Sequence, residues 1–175
     1  TMNSNLGRFV PVGQTYYDET FLPQKYRKNL FVARWGTGSI PRYPLVTHGA
    51  TFKVTEVPFL VGRDHARPVG VAVGRGGRLF ATISYMVHNE TSPEYPSDLV
   101  MITRADDPPT HPFDAYEATH ASPEKLWFEL SNASWWRRYR AHTEILRRGG
   151  KLLDEAVQRL KGTGKDDAAQ IGRAS

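Results

Sequence analysis

Three residues beside two predicted strands are the best candidates for binding chemistry in this chain. Arg67 stands at the start of the strand that continues to Val73, and a guanidinium can hold a carboxylate through two parallel hydrogen bonds. Arg34 and Trp35 stand together at the end of an earlier strand. Structural alternatives exist, an ion pair with Asp64 for Arg67 and core packing for Trp35. The sequence alone leaves both alternatives open.

Metal chemistry is not indicated by the remaining polar residues. Glu90, Glu94 and Asp98 carry carboxylates that could bind calcium, but they lack the dense, alternating oxygen ligands of a calcium loop, so we predict a solvated loop there. The absence of cysteine excludes disulfides, thiolate metal sites, a cysteine nucleophile and covalently attached c-type haem within this chain. No metal-ligand spacing relates the six histidines, which stand at positions 48, 65, 88, 111, 120 and 142.

A basic and aromatic segment runs from Trp135 to Arg140 with the sequence Trp-Trp-Arg-Arg-Tyr-Arg. Nucleic-acid binding is one interpretation, because bases stack on aromatic rings and arginines contact phosphate. At helical spacing, however, Trp135, Tyr139, His142 and Leu146 fall on one stripe and the arginines lie largely outside it. We therefore predict that this stripe packs in a core, and we predict no nucleic-acid partner.

The elements that must position these residues are strands in the first part of the chain. Gly49 and the Gly74-Arg-Gly-Gly77 segment supply turns. Residues 1–28 are interpreted as a loop-rich connector against a sheet, and a polar insertion lies between Val87 and Pro96. Alternating and apolar runs predict strands over 30–35, 43–48, 51–59, 67–73, 79–85 and 97–104.

Helical periodicity replaces the strand pattern from Ser122 onward. Ser122 is a good N-cap and Pro123 suits the first helical position. A second helix is predicted to start at Asn132 or Ser134, and Gly149 is predicted to stop it. A third helix should end at Gly162, and a fourth helical pattern begins at Asp166. The expected organisation is a β part over 1–105, a proline-rich linker over 106–121 and a helical part over 122–175.

The composition is that of a chain able to fold around a core. Of its 175 residues 39% are apolar and 11% aromatic, and the net charge is +5. After position 121 there are eleven Lys or Arg against seven Asp or Glu, so the basic excess lies mostly in the helical part. No apolar run approaches the roughly 18 residues of a membrane span. The first residues also lack the basic-then-apolar pattern of a signal peptide.

Three segments of the β part carry a resemblance to a known family. They are Tyr17-Asp-Glu-Thr-Phe-Leu-Pro-Gln-Lys-Tyr26, Asn29-Leu-Phe-Val-Ala-Arg-Trp-Gly36 and Ala66-Arg-Pro-Val-Gly-Val-Ala-Val-Gly-Arg-Gly-Gly-Arg-Leu-Phe80. In this order they resemble the end of the glucose/sorbosone dehydrogenase β-propeller family, whose characterised members use pyrroloquinoline quinone (PQQ). The segment from Trp127 to Leu160 is similar to HEAT-like repeats. Large bacterial dehydrogenase-like proteins join such a propeller to such repeats.

The resemblance implies a fold of β and α in two parts, with one or more antiparallel β-propeller blades followed by a HEAT-like helical hairpin array. It implies that Arg67, with Arg34 and Trp35, belongs to a cofactor-binding region, and that PQQ binds in a complete parent protein rather than in this chain alone. It also implies a periplasmic or exported parent. The family's catalytic base lies in earlier blades, so we predict no catalytic residue here.

Several positions depart from the family pattern. The blade turn, usually Gly-Pro-Asp-Gly, is Gly74-Arg-Gly-Gly77, and Ile83-Ser-Tyr-Met86 replaces an acidic pair. Val69 stands where some members carry a second arginine. These changes favour a scaffold role over a complete redox site.

Two functional hypotheses follow. The first is a non-catalytic segment of a PQQ-dependent sugar or alcohol dehydrogenase-like protein that links the propeller to the helical repeats. The alternative is a stand-alone module that binds a protein partner through its helical face. A lone blade and two helical repeats both leave apolar surface exposed. We therefore expect the remaining blades, a protein partner or a second copy of the chain to cover it.

Overall fold

The computed structural model describes residues 10–63, 65–85, 96–107 and 116–162, the side chains of 160–162 excepted. The chain divides into two units, 1–115 and 116–175. The first unit is built from antiparallel strands and the second from helices, which confirms the coarse prediction of a β part followed by an α part. The predicted insertion up to residue 95 and the predicted fourth helix lie outside the described residues.

The first unit contains eight strands among the described residues. They are β1 (Pro11–Tyr17), β2 (Asn29–Arg34), β3 (Ser39–His48), β4 (Thr51–Val54), β5 (Val57–Val61), β6 (Ala66–Val73), β7 (Leu79–Tyr85) and β8 (Ser97–Ile102). They form a five-stranded and a three-stranded sheet, and the described residues close neither a barrel nor a propeller.

The five-stranded sheet is organised around the long strand β3. One edge of β3 pairs with β2, and the other edge pairs with β4 and then with β5. Gly49, with a φ of +60°, forms the turn between β3 and β4. The predicted single strand over 51–59 is therefore two strands, and Glu56 lies in the break between them. The prediction of a connector over 1–28 is wrong in part, because residues 11–17 form β1 and pair with β2.

The three-stranded sheet has the order β6-β7-β8. The turn from β6 to β7 passes through Gly76 and Gly77, whose φ angles are +73° and +77°. This backbone conformation is cheap only for glycine, and it confirms the turn predicted at this position. Strand β8 ends at Ile102, two residues earlier than predicted.

The two sheets share one core in the first unit. Strands β1 and β6 approach so closely that a Cβ on Gly13 would lie 2.9 Å from Cα of Gly70. The buried hydroxyl of Tyr17 donates to the carbonyl of Gly77 at 2.8 Å and accepts from the amide of Leu22 at 2.9 Å. Burial raises the pKa of Tyr17 to about 12. The buried side chains of this core are Tyr17, Leu22, Phe31, Ala33, Ile40, Val71, Leu79, Ala81 and Ile83.

The second unit contains α1 (Pro123–Glu129), α2 (Trp135–Arg148) and α3 (Gly150–Gly162). The side chain of Ser122 accepts a hydrogen bond from the amide of Lys125, which confirms the predicted N-cap. Ser134 caps α2 in the same way. Gly149, with a φ of +57°, ends α2 as predicted. No helix in the described part of the chain is long and apolar enough to cross a membrane.

The buried core of the helical unit does not contain the stripe of α2 residues that the sequence predicted. Its buried apolar residues are Tyr116, Ala118, Leu126, Ala141 and Ile145. Residues 116–121, assigned to the linker from the sequence, thus contribute two side chains to this core. The predicted stripe on α2 is wrong: Trp135, Tyr139 and Leu146 are about half exposed, and His142 is exposed.

Candidate functional site

Arg34 lies at the end of β2 and is buried, with 5% of its surface exposed. Its Nη1 donates to Oε1 of Glu56 at 2.9 Å, and its Nη2 contacts Oε2 of Glu56 and the hydroxyl oxygen of Tyr43. The Tyr43 hydroxyl donates to Oε2 of Glu56 at 3.1 Å. A buried guanidinium is thus neutralised by one carboxylate. The three side chains join β2, β3 and the break between β4 and β5.

The close contact of Arg34, Tyr43 and Glu56 changes the pKa values of these side chains. The hydrogen bonds and the positive charge of Arg34 hold the pKa of Glu56 below its ordinary value. Burial raises the pKa of Tyr43, so the phenol remains protonated at neutral pH. Both terminal nitrogens of Arg34 are thus engaged by Glu56 and Tyr43. Arg34, which the sequence assigned to a cofactor-binding region, joins neighbouring strands of this sheet.

Arg67 lies near the start of β6, and its partners are backbone atoms. Its Nη1 donates to the carbonyl of Trp35 at 3.3 Å and to that of Gly36 at 3.2 Å. Carbonyls satisfy N–H donors but carry no formal charge. None of the acids that the structure describes forms an ion pair with Arg67, and the alternative partner Asp64 lies outside the described residues.

The backbone of Trp35 is held by hydrogen bonds at both its amide and its carbonyl. Its amide donates to the carbonyl of Val10 at 3.1 Å, and its carbonyl also accepts from the amide of Gly38 at 3.3 Å. Its side chain is partly buried. The Arg67 side chain therefore contacts the backbone of Trp35, whereas the Arg34 guanidinium has different partners.

The polar residues suggested for calcium have no supporting arrangement in the described part of the chain. The carboxylate of Asp98 accepts a hydrogen bond from the hydroxyl of Tyr85 at 2.8 Å. Glu90 and Glu94 lie outside the described residues. Over residues 10–63, 65–85, 96–107 and 116–162, no group of three or more His, Asp or Glu is placed to hold a metal ion.

Sequence reasoning missed an exposed apolar surface on α2. We name Trp135, Tyr139, His142 and Leu146 the α2 outer face. The rings of Trp135 and Tyr139 stack with centroids 5.0 Å apart and planes 12° from parallel. The opposite side of α2 is buried through the small Ala141 and the branched Ile145. The spacing of Ala141 and Ile145, four residues apart, is the sequence pattern that could have identified the buried side.

The arginines of α2 are engaged within the helical unit. Arg137 holds the fully buried carboxylate of Glu129 with two hydrogen bonds, at 2.6 and 2.8 Å. Arg147 and Arg148 both donate to Glu144 and lower the pKa of that carboxyl to about 2. The remaining pairs are Arg140 with Glu117 and Arg138 with the carbonyls of residues 132 and 133. Phosphate binding by this helix would have to break contacts of this kind.

Comparisons of the chain with protein-family models, with curated proteins and with solved structures find no match.

Proposed function

We propose that this chain is a non-catalytic segment of a PQQ-dependent sugar or alcohol dehydrogenase-like protein, in which it links the end of a β-propeller to HEAT-like repeats. The observation that carries the proposal is the relation between the two sheets. Each sheet begins with a strand that contains a glycine, and these strands, β1 and β6, approach each other at Gly13 and Gly70. In a propeller, the first strands of adjacent blades approach in the same way around a central channel.

The strand arrangement within each sheet also supports the proposal. Strands β1, β2, β3 and β5 are ordered antiparallel neighbours, as in a four-stranded blade. The second sheet supplies three strands of a further blade. Helices α1 and α2 contact each other and are joined by a short connection, and pairs of contacting helices are the unit that HEAT-like arrays repeat.

Arg67 is better placed than Arg34 to bind a carboxylate of PQQ. Arg67 fits it, because its contacts are neutral carbonyls and its charge faces no described acid. Arg34 does not fit it, because Glu56 already holds the guanidinium. PQQ would supply the redox chemistry when bound. This chain would contribute one cation that orients an anionic group, and the other blades would contribute the rest of the site.

Dye reduction tests this proposal at two levels. We expect no PQQ-dependent dye reduction by the 175-residue chain alone with sugars or alcohols, and reduction above the free-cofactor background would contradict the non-catalytic role. In a complete parent, Arg67→Ala should abolish quinone-dependent dye reduction. Arg63→Ala, which removes an exposed arginine four residues away, should leave it unchanged. Equal activity of the two parent variants would refute the cofactor role of Arg67.

A second candidate function is favoured by the α2 outer face. Trp135 and Tyr139 are each 50% exposed and Leu146 is 52% exposed, and aromatic anchors of this kind dominate protein interfaces. This favours a module that binds a protein partner through its helical face. Chemical cross-linking in source-cell extract tests it. One defined cross-linked species should form with the wild type and should be lost in Trp135→Ser. It should also form with the control Phe52→Ser, which removes a 51% exposed aromatic residue of β4. Its survival in Trp135→Ser would exclude the α2 outer face.

A further inference from the structure

Strand β8 has an open edge in the part of the chain that the structure describes. It pairs with β7 along one side over its whole length, from Ser97 to Ile102. No strand among the described residues pairs with its other side. An open edge presents unpaired backbone donors and acceptors, and the natural occupant of such an edge is another strand.

The backbone groups on this edge can be assigned by alternation. The amide of Tyr85 donates to the carbonyl of Pro96 at 3.2 Å, so Pro96 directs its carbonyl toward β7. In an antiparallel ladder, alternate residues direct their N–H and C=O groups to the same side. The backbone N–H and C=O groups of residues 98, 100 and 102 therefore point toward β7. Those of Ser97, Leu99 and Met101 point toward the open edge.

Strand β8 has fewer of the usual protections of an edge strand than β5 and β6, and Asp98 is its one charged residue. Proteins protect exposed edges with proline, with charged side chains, especially lysine, or with a bulge. Strands β5 and β6 each contain a proline, Pro58 and Pro68, and each pairs with its neighbour through an irregular register. Strand β8 contains neither proline nor lysine, and its register with β7 is regular. Leu99 is 71% exposed and Met101 is 44% exposed.

We propose that β8 pairs with β8 of a second copy of this chain, antiparallel and symmetric about Leu99. The three outward residues are evenly spaced around Leu99, so the edge is complementary to itself. Leu99 then faces Leu99 of the second copy, Ser97 faces Met101, and the lone charged residue Asp98 faces Val100. No like charges lie opposite each other, and the exposed apolar side chains of both copies come together on one face. The two three-stranded sheets become one sheet of six strands.

The association is expected to be weak. A single pair of strands buries less than the roughly 1,600 Å² of a standard interface. The dimer should therefore form at high chain concentration and dissociate on dilution. This inference concerns the β8 edge of the 175-residue chain and does not rest on the proposed function. In a complete propeller, the fourth strand of the blade would occupy this edge instead.

Single cysteines test the register, because the chain contains no native cysteine. Directly opposed residues of an antiparallel pair have Cα atoms about 4.5–5.5 Å apart, which suits a disulfide. Leu99→Cys should give a covalent dimer on mild oxidation. Met101→Cys alone should not, because the two copies of residue 101 would lie about 13 Å apart along the strands. Mixing Ser97→Cys with Met101→Cys chains should restore cross-linking between them.

Two cross-linking results would overturn the proposal. One is cross-linking of Leu99→Cys no faster than that of Val46→Cys, a 60% exposed residue of β3. The other is equal cross-linking of Leu99→Cys and Met101→Cys, which would indicate random collision. Amide hydrogen exchange on the wild-type chain provides a readout without mutation. The amides of residues 97, 99 and 101 should be protected in concentrated protein and lose that protection on dilution, and protection independent of concentration would also contradict the dimer.

Discussion

Replacement of Arg34 by alanine should destabilise the β unit strongly, because its guanidinium is a buried contact between three elements. The substitution removes two hydrogen bonds to the Glu56 carboxylate and one to the Tyr43 oxygen. It also leaves the hydroxyl of Tyr43, a residue only 3% exposed, without its cationic donor. If the main role of Arg34 were to hold a ligand, its replacement would change the stability of the ligand-free protein very little.

The size of the effect follows from these contacts. A hydrogen bond to a charged group contributes about 1.5–3 kcal/mol, so three lost bonds set an upper limit of several kcal/mol. The Glu56 side chain is 39% exposed and can be rehydrated, which reduces the expected loss to about 2–3 kcal/mol. For a unit of this size, that loss lowers the Tm by about 10–20 °C.

Thermal and urea unfolding, followed by circular dichroism of the β-sheet signal, measure this loss. Arg63→Ala is the matched control, since Arg63 is exposed and its removal should change the free energy of unfolding by less than about 0.5 kcal/mol. Glu56→Gln should show an intermediate loss, because the amide keeps one acceptor for the guanidinium. Equal stabilities of Arg34→Ala and Arg63→Ala would refute the structural role of Arg34.

Three further predictions concern the packing of each unit. Glu129→Gln weakens a fully buried network and should cost about 2–3 kcal/mol in urea unfolding followed by tryptophan fluorescence. By contrast, the same change at the exposed Glu155 should cost less than about 0.5 kcal/mol, and equal losses would contradict the account. A methyl group on Gly13 would lie 2.9 Å from the backbone of β6, so Gly13→Ala should lower the free energy of unfolding by about 1–3 kcal/mol. A methyl group on Gly36 would have no atom within 4 Å, so Gly36→Ala should cause no steric destabilisation. The pKa of Glu144 is lowered from 4.5 to about 2 in the folded state. Its contribution to stability is therefore present above pH 4.5 and lost as the pH falls toward 2, and Glu144→Gln should flatten that part of the acid-unfolding curve.

Local chemistry made several elements predictable from the sequence. Ser122 and Ser134 cap helices because a short side-chain oxygen can accept from the free amides of a first turn. Gly49 and Gly76 mark turns because the backbone there needs a positive φ. These requirements involve only neighbouring residues, so a single sequence reveals them.

Elements that depend on distant partners were less predictable. Strand β1 was assigned to a connector, because its stability comes from pairing with β2 and from the approach of Gly13 to β6. On α2, periodicity identified a stripe but assigned it to the wrong side. The small Ala141 lets other elements approach that side of the helix closely, while the bulky rings of Trp135 and Tyr139 remain outside.

The contacts of the candidate site residues were also hard to predict where they involve residues distant in the sequence. The sequence placed Arg67 and Trp35 at strand ends without predicting a contact, and the structure shows Arg67 donating to the Trp35 carbonyl. The partner of Arg34 could not be expected, because Glu56 follows 22 residues later, in a break between strands that read as one continuous run. Tertiary pairing thus decided that Arg34 contacts a carboxylate and Arg67 contacts backbone carbonyls.

The size of the native polypeptide tests the central claim most directly. An antibody against this segment should be used on extracts of the source cells, followed by mass spectrometry of the recognised band. The account predicts a band several times larger than the 175-residue chain, with further strand-turn-strand segments upstream of it. A band at the size of the 175-residue chain itself would contradict the proposal that it is a propeller-to-repeat segment, and the protein-interaction function would then take its place.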